Sequence, residues 1–153
     1  MKVDIIAATK ADVEAVARNM TDRHRAEWAA LLPDGYDTVE VLTGRFVGGV
    51  CARVGGDPVA VGEVFVARPG VASLGLVTTD AFPAATLAFT KFLRNGLFRK
   101  LEAEGTHRIE CMTLAQFAAA RRWMGLLGLQ EEATLRCYGR SKEDFVQFAR
   151  VKA

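Results

Sequence analysis

The chain has 153 residues, 50% of them hydrophobic and 25% charged. Twenty basic against eighteen acidic side chains leave a formal charge of +2, which argues against a strong polyanion binder. The length is that of one domain able to bury a core without staples, and the apolar content excludes intrinsic disorder. Cys51, Cys111 and Cys137 lie far apart, with no Cys-x-x-Cys pair and no Cys/His cluster. Neither a zinc site nor a disulfide framework is predicted, and the expectation is reduced, buried thiols. The opening Met-Lys-Val-Asp-Ile-Ile lacks the apolar core of a signal peptide, and no apolar run reaches membrane-spanning length. The expectation is therefore a soluble, intracellularly made single domain.

The β-branched run from Val3 to Ala8 predicts a strand. Thr9 and Asp12 have capping-box spacing ahead of a helix through Met20, with an apolar stripe at Val13, Val16 and Met20. Thr21 or Asp22 caps a second helix carrying Trp28, Leu31 and Leu32, broken by Pro33-Asp34-Gly35. Asp37 and Glu40 repeat the capping spacing before a third helix that ends near Gly48-Gly49. Val50 to Val54, Gly55-Gly56-Asp57-Pro58 and Val59 to Ala67 read as a hairpin, and Ala72 to Thr78 as a further strand. Pro83 to Glu104 is a long amphipathic segment with Leu87, Leu93, Leu97 and Leu101 near helical spacing. Gly96 costs it about 1 kcal/mol relative to Ala, which places a kink or break there. His107 to Thr113 is a strand, and Ala115 to Leu127 a helix stopped by Gly128. Glu131 to Tyr138 and Asp144 to Val151 form a closing hairpin. The fold class is α/β (α+β), with a mixed, mostly antiparallel twisted sheet and helices on both faces. The fourth and fifth strands should run parallel, joined by a right-handed crossover through residues 83–104.

This order resembles the GNAT (GCN5-related N-acetyltransferase) fold. The stretch Val54-Gly55-Gly56-Asp57-Pro58-Val59-Ala60-Val61-Gly62 looks like that family's second and third strands. Leu127-Gly128-Leu129 looks like the close of its late helix. Within the superfamily, Thr79-Asp80 ahead of the basic helix and Trp123-Met124 before the Leu-Gly resemble a phage branch similar to the T7-like internal virion protein A. The likeness implies one GNAT-like domain over residues 1–153.

Two expected pieces of the family's chemistry are missing. Family members hold the acetyl-CoA pyrophosphate on a glycine-rich loop after the fourth strand, where backbone N–H groups suit an anion. The corresponding residues here are Thr78-Thr79-Asp80-Ala81-Phe82-Pro83-Ala84. They include no glycine, Asp80 brings negative charge, and Pro83 removes a donor. Thr78, Thr79, Asp80 and Ala84 are the cofactor-binding candidates, but the expectation is that they form no competent anion cradle. Asp80 and Pro83 read more simply as a helix N-cap and first-turn proline. The basic residues Lys91, Arg94, Arg99 and Lys100 could reach a phosphate, or form a solvated face. Many family members also carry a Tyr that protonates the departing thiolate. Met124 stands in its place, and Phe117 replaces an Asn often found seven residues earlier.

Glu63 and Glu110 are weak candidates for a general base, a solvent-facing strand Glu being the simpler reading. His24 and His107 have no partner Ser or Cys at motif spacing, and Ser73 and Ser141 have no Gly-x-Ser-x-Gly context. Cys111 reads as a buried small residue, and Trp123 and Met124 as core or a contact surface. No metal site is predicted.

The sequence supports two functions. The phage resemblance implies a virion- or assembly-associated protein with weak or no catalysis and no cofactor. Its partners would be other phage virion proteins or further copies of itself, with no nucleic acid or membrane. Its location would be the host cytoplasm during assembly, or the virion. The alternative is an acetyl-CoA-dependent N-acetyltransferase with an atypical pyrophosphate loop. For an interface, Trp28 and Tyr36 are expected to be exposed anchors, with Leu31 and Phe46 packed in the core.

Overall fold

The computed structural model describes residues 1–152. The elements in chain order are β1 (Val3–Ala7), α1 (Lys10–Arg18), α2 (Asp22–Leu31), α3 (Thr38–Phe46), β2 (Val50–Val54), β3 (Asp57–Arg68) and β4 (Val71–Thr78). Next come a 3-10 turn (Phe82–Ala85), α4 (Thr86–Lys91), a π-helical turn (Phe92–Leu97), α5 (Phe98–Ala103), β5 (Arg108–Leu114), α6 (Ala118–Leu126), β6 (Gln130–Leu135) and β7 (Phe145–Val151). The strands form one seven-stranded sheet in the order β1-β2-β3-β4-β5-β7-β6. β4 and β5 are parallel, as expected, through Val71↔Arg108, Ala72↔Ile109 and Ser73↔Glu110. The β1–β2, β2–β3, β5–β7 and β6–β7 pairs are antiparallel. The chain gathers into two compact units, one of residues Met1–Val64 and Gly75–Phe89, the other of Phe65–Leu74 and the chain from Thr90.

In the first unit the three helix starts obey their local signals. The Thr9 hydroxyl accepts from the Asp12 N–H at 3.2 Å, and the Asp12 carboxylate accepts from the Thr9 N–H at 3.0 Å. Thr21 caps α2 and Asp37 caps α3 with their side-chain oxygens. Asp12 is only 4% exposed, and Arg53 on β2 reaches it with contacts of 2.8 and 2.9 Å from Nη2. Burial opposes its charge, but the Thr9 hydrogen bonds and Arg53 outweigh this and hold the carboxyl below the usual aspartate range. After α3 the chain turns on Gly48 (φ 89°) and passes close to β3 at Gly49. A Cβ on Gly49 would lie 2.2 Å from the Gly62 carbonyl oxygen, so no other residue fits.

The core of this unit contains Val13, Val16, Ala17, Met20, Trp28, Leu42, Phe46, Cys51, Val61 and Val77. This corrects the expectation that Trp28 is an exposed anchor. Its ring packs edge-on against Phe46 with centroids 6.1 Å apart, because the α2 face that carries it turns toward α3. Leu31, expected inside, is exposed, and Tyr36 is exposed as expected. Helical spacing identifies a stripe but not how far its margins are covered.

In the second unit the break expected near Gly96 takes the form of the π-helical turn, which shifts the register of the helix without ending it. Leu93 is buried, but Leu87, in the first unit and counted on the apolar stripe, is exposed. The helix expected from Ala115 begins at Ala118, since residues 115–117 supply no capping side chain and Phe117 caps without one. β6 ends at Leu135 rather than Tyr138. Cys137 takes a left-handed φ of 53°, and its N–H donates to Asp144 Oδ1 at 2.9 Å, which turns the chain. Of the thiols expected to be buried, Cys51 is buried, whereas Cys111 is half-buried and Cys137 exposed.

Trp28→Ala should cost about 3–5 kcal/mol, the usual range for deleting a large buried aromatic. Tyr36→Ala should cost within about 0.5 kcal/mol, as exposed substitutions do. Urea denaturation of both variants checks this. In the folded protein a thiol-specific reagent at pH 7.5 should label Cys137 and spare Cys51, whose thiol burial pushes up to about 11.

Candidate functional site

The end of β4 is where the unusual chemistry of the first unit collects. The Thr79 N–H donates to the Val59 carbonyl on β3 at 2.9 Å. Peptide groups alternate along a strand, so Thr78 directs its own N–H and C=O to the opposite, outer edge. There the protein's own chain meets them. The Thr21 N–H donates to the Thr78 carbonyl at 2.9 Å, and the Thr78 N–H donates to His24 Nδ1 at 3.0 Å. Met20 and Thr79 form an antiparallel bridge beside these bonds. A peptide N–H can only donate, so Nδ1 is unprotonated and the ring proton sits on Nε2. His24 is 2% exposed. Burial, with the Arg23 charge adding to it, pushes its imidazole down to about 3.

No motif spacing singles out His24 as this partner. It lies 54 residues from Thr78, and its only nearby sequence signal is the Thr21 cap, whose hydroxyl is 3.2 Å from Nδ1.

Downstream of Thr79 three backbone donors are spent within the chain. The Ala81 N–H goes to Thr79 Oγ1 at 3.3 Å, the Phe82 N–H to the Thr79 carbonyl at 3.1 Å, and the Ala84 N–H to the Ala81 carbonyl at 3.3 Å. Thr78 and Thr79 are buried, whereas Asp80 and Ala84 are exposed. The cap expected of Asp80 is not made. Ala81 holds the cap position with no side-chain hydrogen bond, and Pro83 sits in the first turn as expected. Asp80 is displaced because Thr79 already closes the turn.

The remaining candidates are dispersed. Glu63 is ion-paired with Arg45, whose guanidinium stacks 5.4 Å from the Trp28 ring centre. A half-buried, paired carboxylate replaces the expected solvent-facing one. In the second unit Arg108 donates to Glu110 at 2.7 Å and forks onto Glu132 at 2.8 and 2.9 Å, which raises the guanidinium's affinity for its proton. Trp123 and Met124 are half-buried, and Trp123 Nε1 donates to Thr90 Oγ1 at 2.8 Å. Lys91, Arg94, Arg99 and Lys100 are exposed, with Arg94 donating to the Leu126 carbonyl at the end of α6. Tyr36 borders a shallow groove of about 430 Å³ with Asp37, Glu40, Val41, Gly35 and Gly44. Among the described residues no group of His, Cys, Asp or Glu is arranged to hold a metal ion.

No protein-family model and no curated protein matches the sequence. Solved structures do match over nearly the whole chain. An N-acetyltransferase from Staphylococcus aureus Mu50 is 13% identical, with a TM-score of 0.73 over 99% of both chains. YncA of Salmonella typhimurium, solved with its cofactor acetyl-CoA, is 19% identical, with a TM-score of 0.71 over 97% of this chain and 93% of its own. A GNAT-family acetyltransferase from Bacillus anthracis is 16% identical, with a TM-score of 0.71 over 99% and 95%. Nothing in these comparisons supports the phage branch. At such identities the likeness establishes architecture: this chain has the GNAT α/β fold.

Proposed function

We propose that the chain is an acetyl-CoA-dependent N-acetyltransferase with an atypical cofactor site. The observation that carries this reading is the end-to-end agreement with acetyltransferase structures, one of them solved with acetyl-CoA. The fold alone does not confer the chemistry, so the fit of the residues to the cofactor matters. They fit poorly at the pyrophosphate end. An anion cradle needs several N–H groups free to converge, and those of Thr78, Thr79, Ala81, Phe82 and Ala84 already have acceptors within the chain. At the position of the family's tyrosine, Met124 has no transferable proton. Without a side-chain acid the rate is expected to fall by about 10²–10⁴, which weakens transfer without forbidding it.

The same spent amides favour a second reading, a protein that keeps this fold for its surface and binds a partner, with exposed Tyr36 as an anchor. A virion partner rests on the phage resemblance alone.

Calorimetric titration separates the two. Saturable binding of acetyl-CoA is expected, with S-acetyl-pantetheine binding within about tenfold of it, because the pyrophosphate gains little from a turn whose donors are already used. Each charge-assisted hydrogen bond that a working cradle made would instead contribute about 1.5–3 kcal/mol, so several of them would separate the two ligands far more widely. No heat with either ligand would overturn the acetyltransferase reading. A preference for acetyl-CoA of about a thousandfold or more, the equivalent of two or more such bonds, would overturn the account of the turn.

A further inference from the structure

We propose that His24 is an acid-released latch, which closes the Met20–His24 junction over the outer edge of β4 near neutral pH and frees the Thr78 peptide group in acid. The inference is independent of the acetyltransferase reading. It rests on three contacts between two short stretches distant in sequence: the Thr21–Thr78 and Thr78–His24 hydrogen bonds and the Met20↔Thr79 bridge. Among the described residues β4 is paired with β5 through Val71–Ser73, and at Thr78 the outer edge is closed by this junction instead. An open strand edge is a template for any extended, amide-bearing ligand or segment.

The bolt is a titratable atom. Nδ1 accepts the Thr78 N–H only while unprotonated. A proton there would set two donors head to head, inside a site that excludes water. The charges around it do not rescue the cation. Arg23, on the same helix, opposes it and is 3.7 Å from Glu27. β4 contributes Thr78 and Thr79, the junction contributes Thr21, and none of these titrates near neutrality. Asp80, further along, is exposed. The rest of α2 is held independently by Trp28 in the core. Release is therefore confined to the junction and the first turn of the helix.

Proton counting gives the sign. The closed form keeps His24 neutral down to about pH 3, whereas a released histidine titrates near its ordinary value of about 6.5. Opening thus takes up one proton in that interval, and the open fraction rises about tenfold per pH unit as pH falls below about 6.5.

Amide hydrogen exchange measured by NMR between pH 7.5 and 4.5, corrected for intrinsic rates, tests this. Protection of the Thr78 and Thr21 amides should fall about tenfold per unit below about pH 6.5 and stay well below that of the Val61 and Ala52 amides at every pH. In His24→Asn the side-chain oxygen can accept the same N–H without titrating, so Thr78 protection should lose its pH dependence. His24→Gln serves in its place if that variant does not fold. Protection independent of pH in the wild type would overturn the latch. So would protection at Thr78 and Thr21 equal to that at Val61 and Ala52, which would mean that the junction opens only in global unfolding, or the wild-type slope persisting in the folded variant.

Discussion

A strand whose neighbour leaves it early must still satisfy its peptide groups. β4 faces that requirement, because its parallel ladder to β5 covers only Val71, Ala72 and Ser73. A buried N–H or C=O without a partner costs about 1–3 kcal/mol. At Thr78 both groups are met, one by the Thr21 N–H and one by the ring of His24. That solution sets where α1 must end and α2 begin, since Thr21 is at once the cap of α2 and the donor to β4. The first-unit helices are thus placed by the backbone of a strand, as well as by apolar packing.

The same requirement shapes the turn after β4. Thr79 directs its N–H to β3, its hydroxyl to Ala81 and its carbonyl to Phe82, so the chain closes on itself within a few residues. A glycine-rich loop holds its amides open for an anion, and the cost is deferred until the anion arrives. Thr79 satisfies them at once. The turn is thus closed by bonds within the chain, while the GNAT architecture around it is kept.

Elsewhere charge is held in pairs. Asp12 serves the α1 cap and Arg53 together, so helix and strand are tied by one nearly buried carboxylate. Its stabilising effect is present above the ordinary aspartate range and is lost as pH falls through its lowered value. Arg108 binds Glu110 and Glu132 in a similar way. Glu63 and Glu110, the two carboxylates with most claim to basicity on sequence grounds, are thus both committed to arginines.

Local chemistry was legible in the sequence. Thr9 with Asp12, and Asp37 with Glu40, start helices because a cap needs only a side-chain oxygen three residues from its donor. Gly96 marked the irregular turn and Gly128 the end of α6, because the cost of glycine in a helix and its ease at positive φ belong to the residue itself. The order of elements came from such signals, and the parallel β4–β5 pair from the crossover that this order and the GNAT resemblance imply. Partnership across the chain lay beyond them. Trp28 looked like an interface anchor because a large aromatic on a polar helix suits either a surface or a core, and only α3, folding back with Phe46, decides between them. His24 looked idle because its partner is the backbone of Thr78, and a peptide N–H carries no mark in the sequence. Short-range hydrogen bonding is written in neighbouring residues, whereas the satisfaction of a distant strand edge exists only once the sheet has formed.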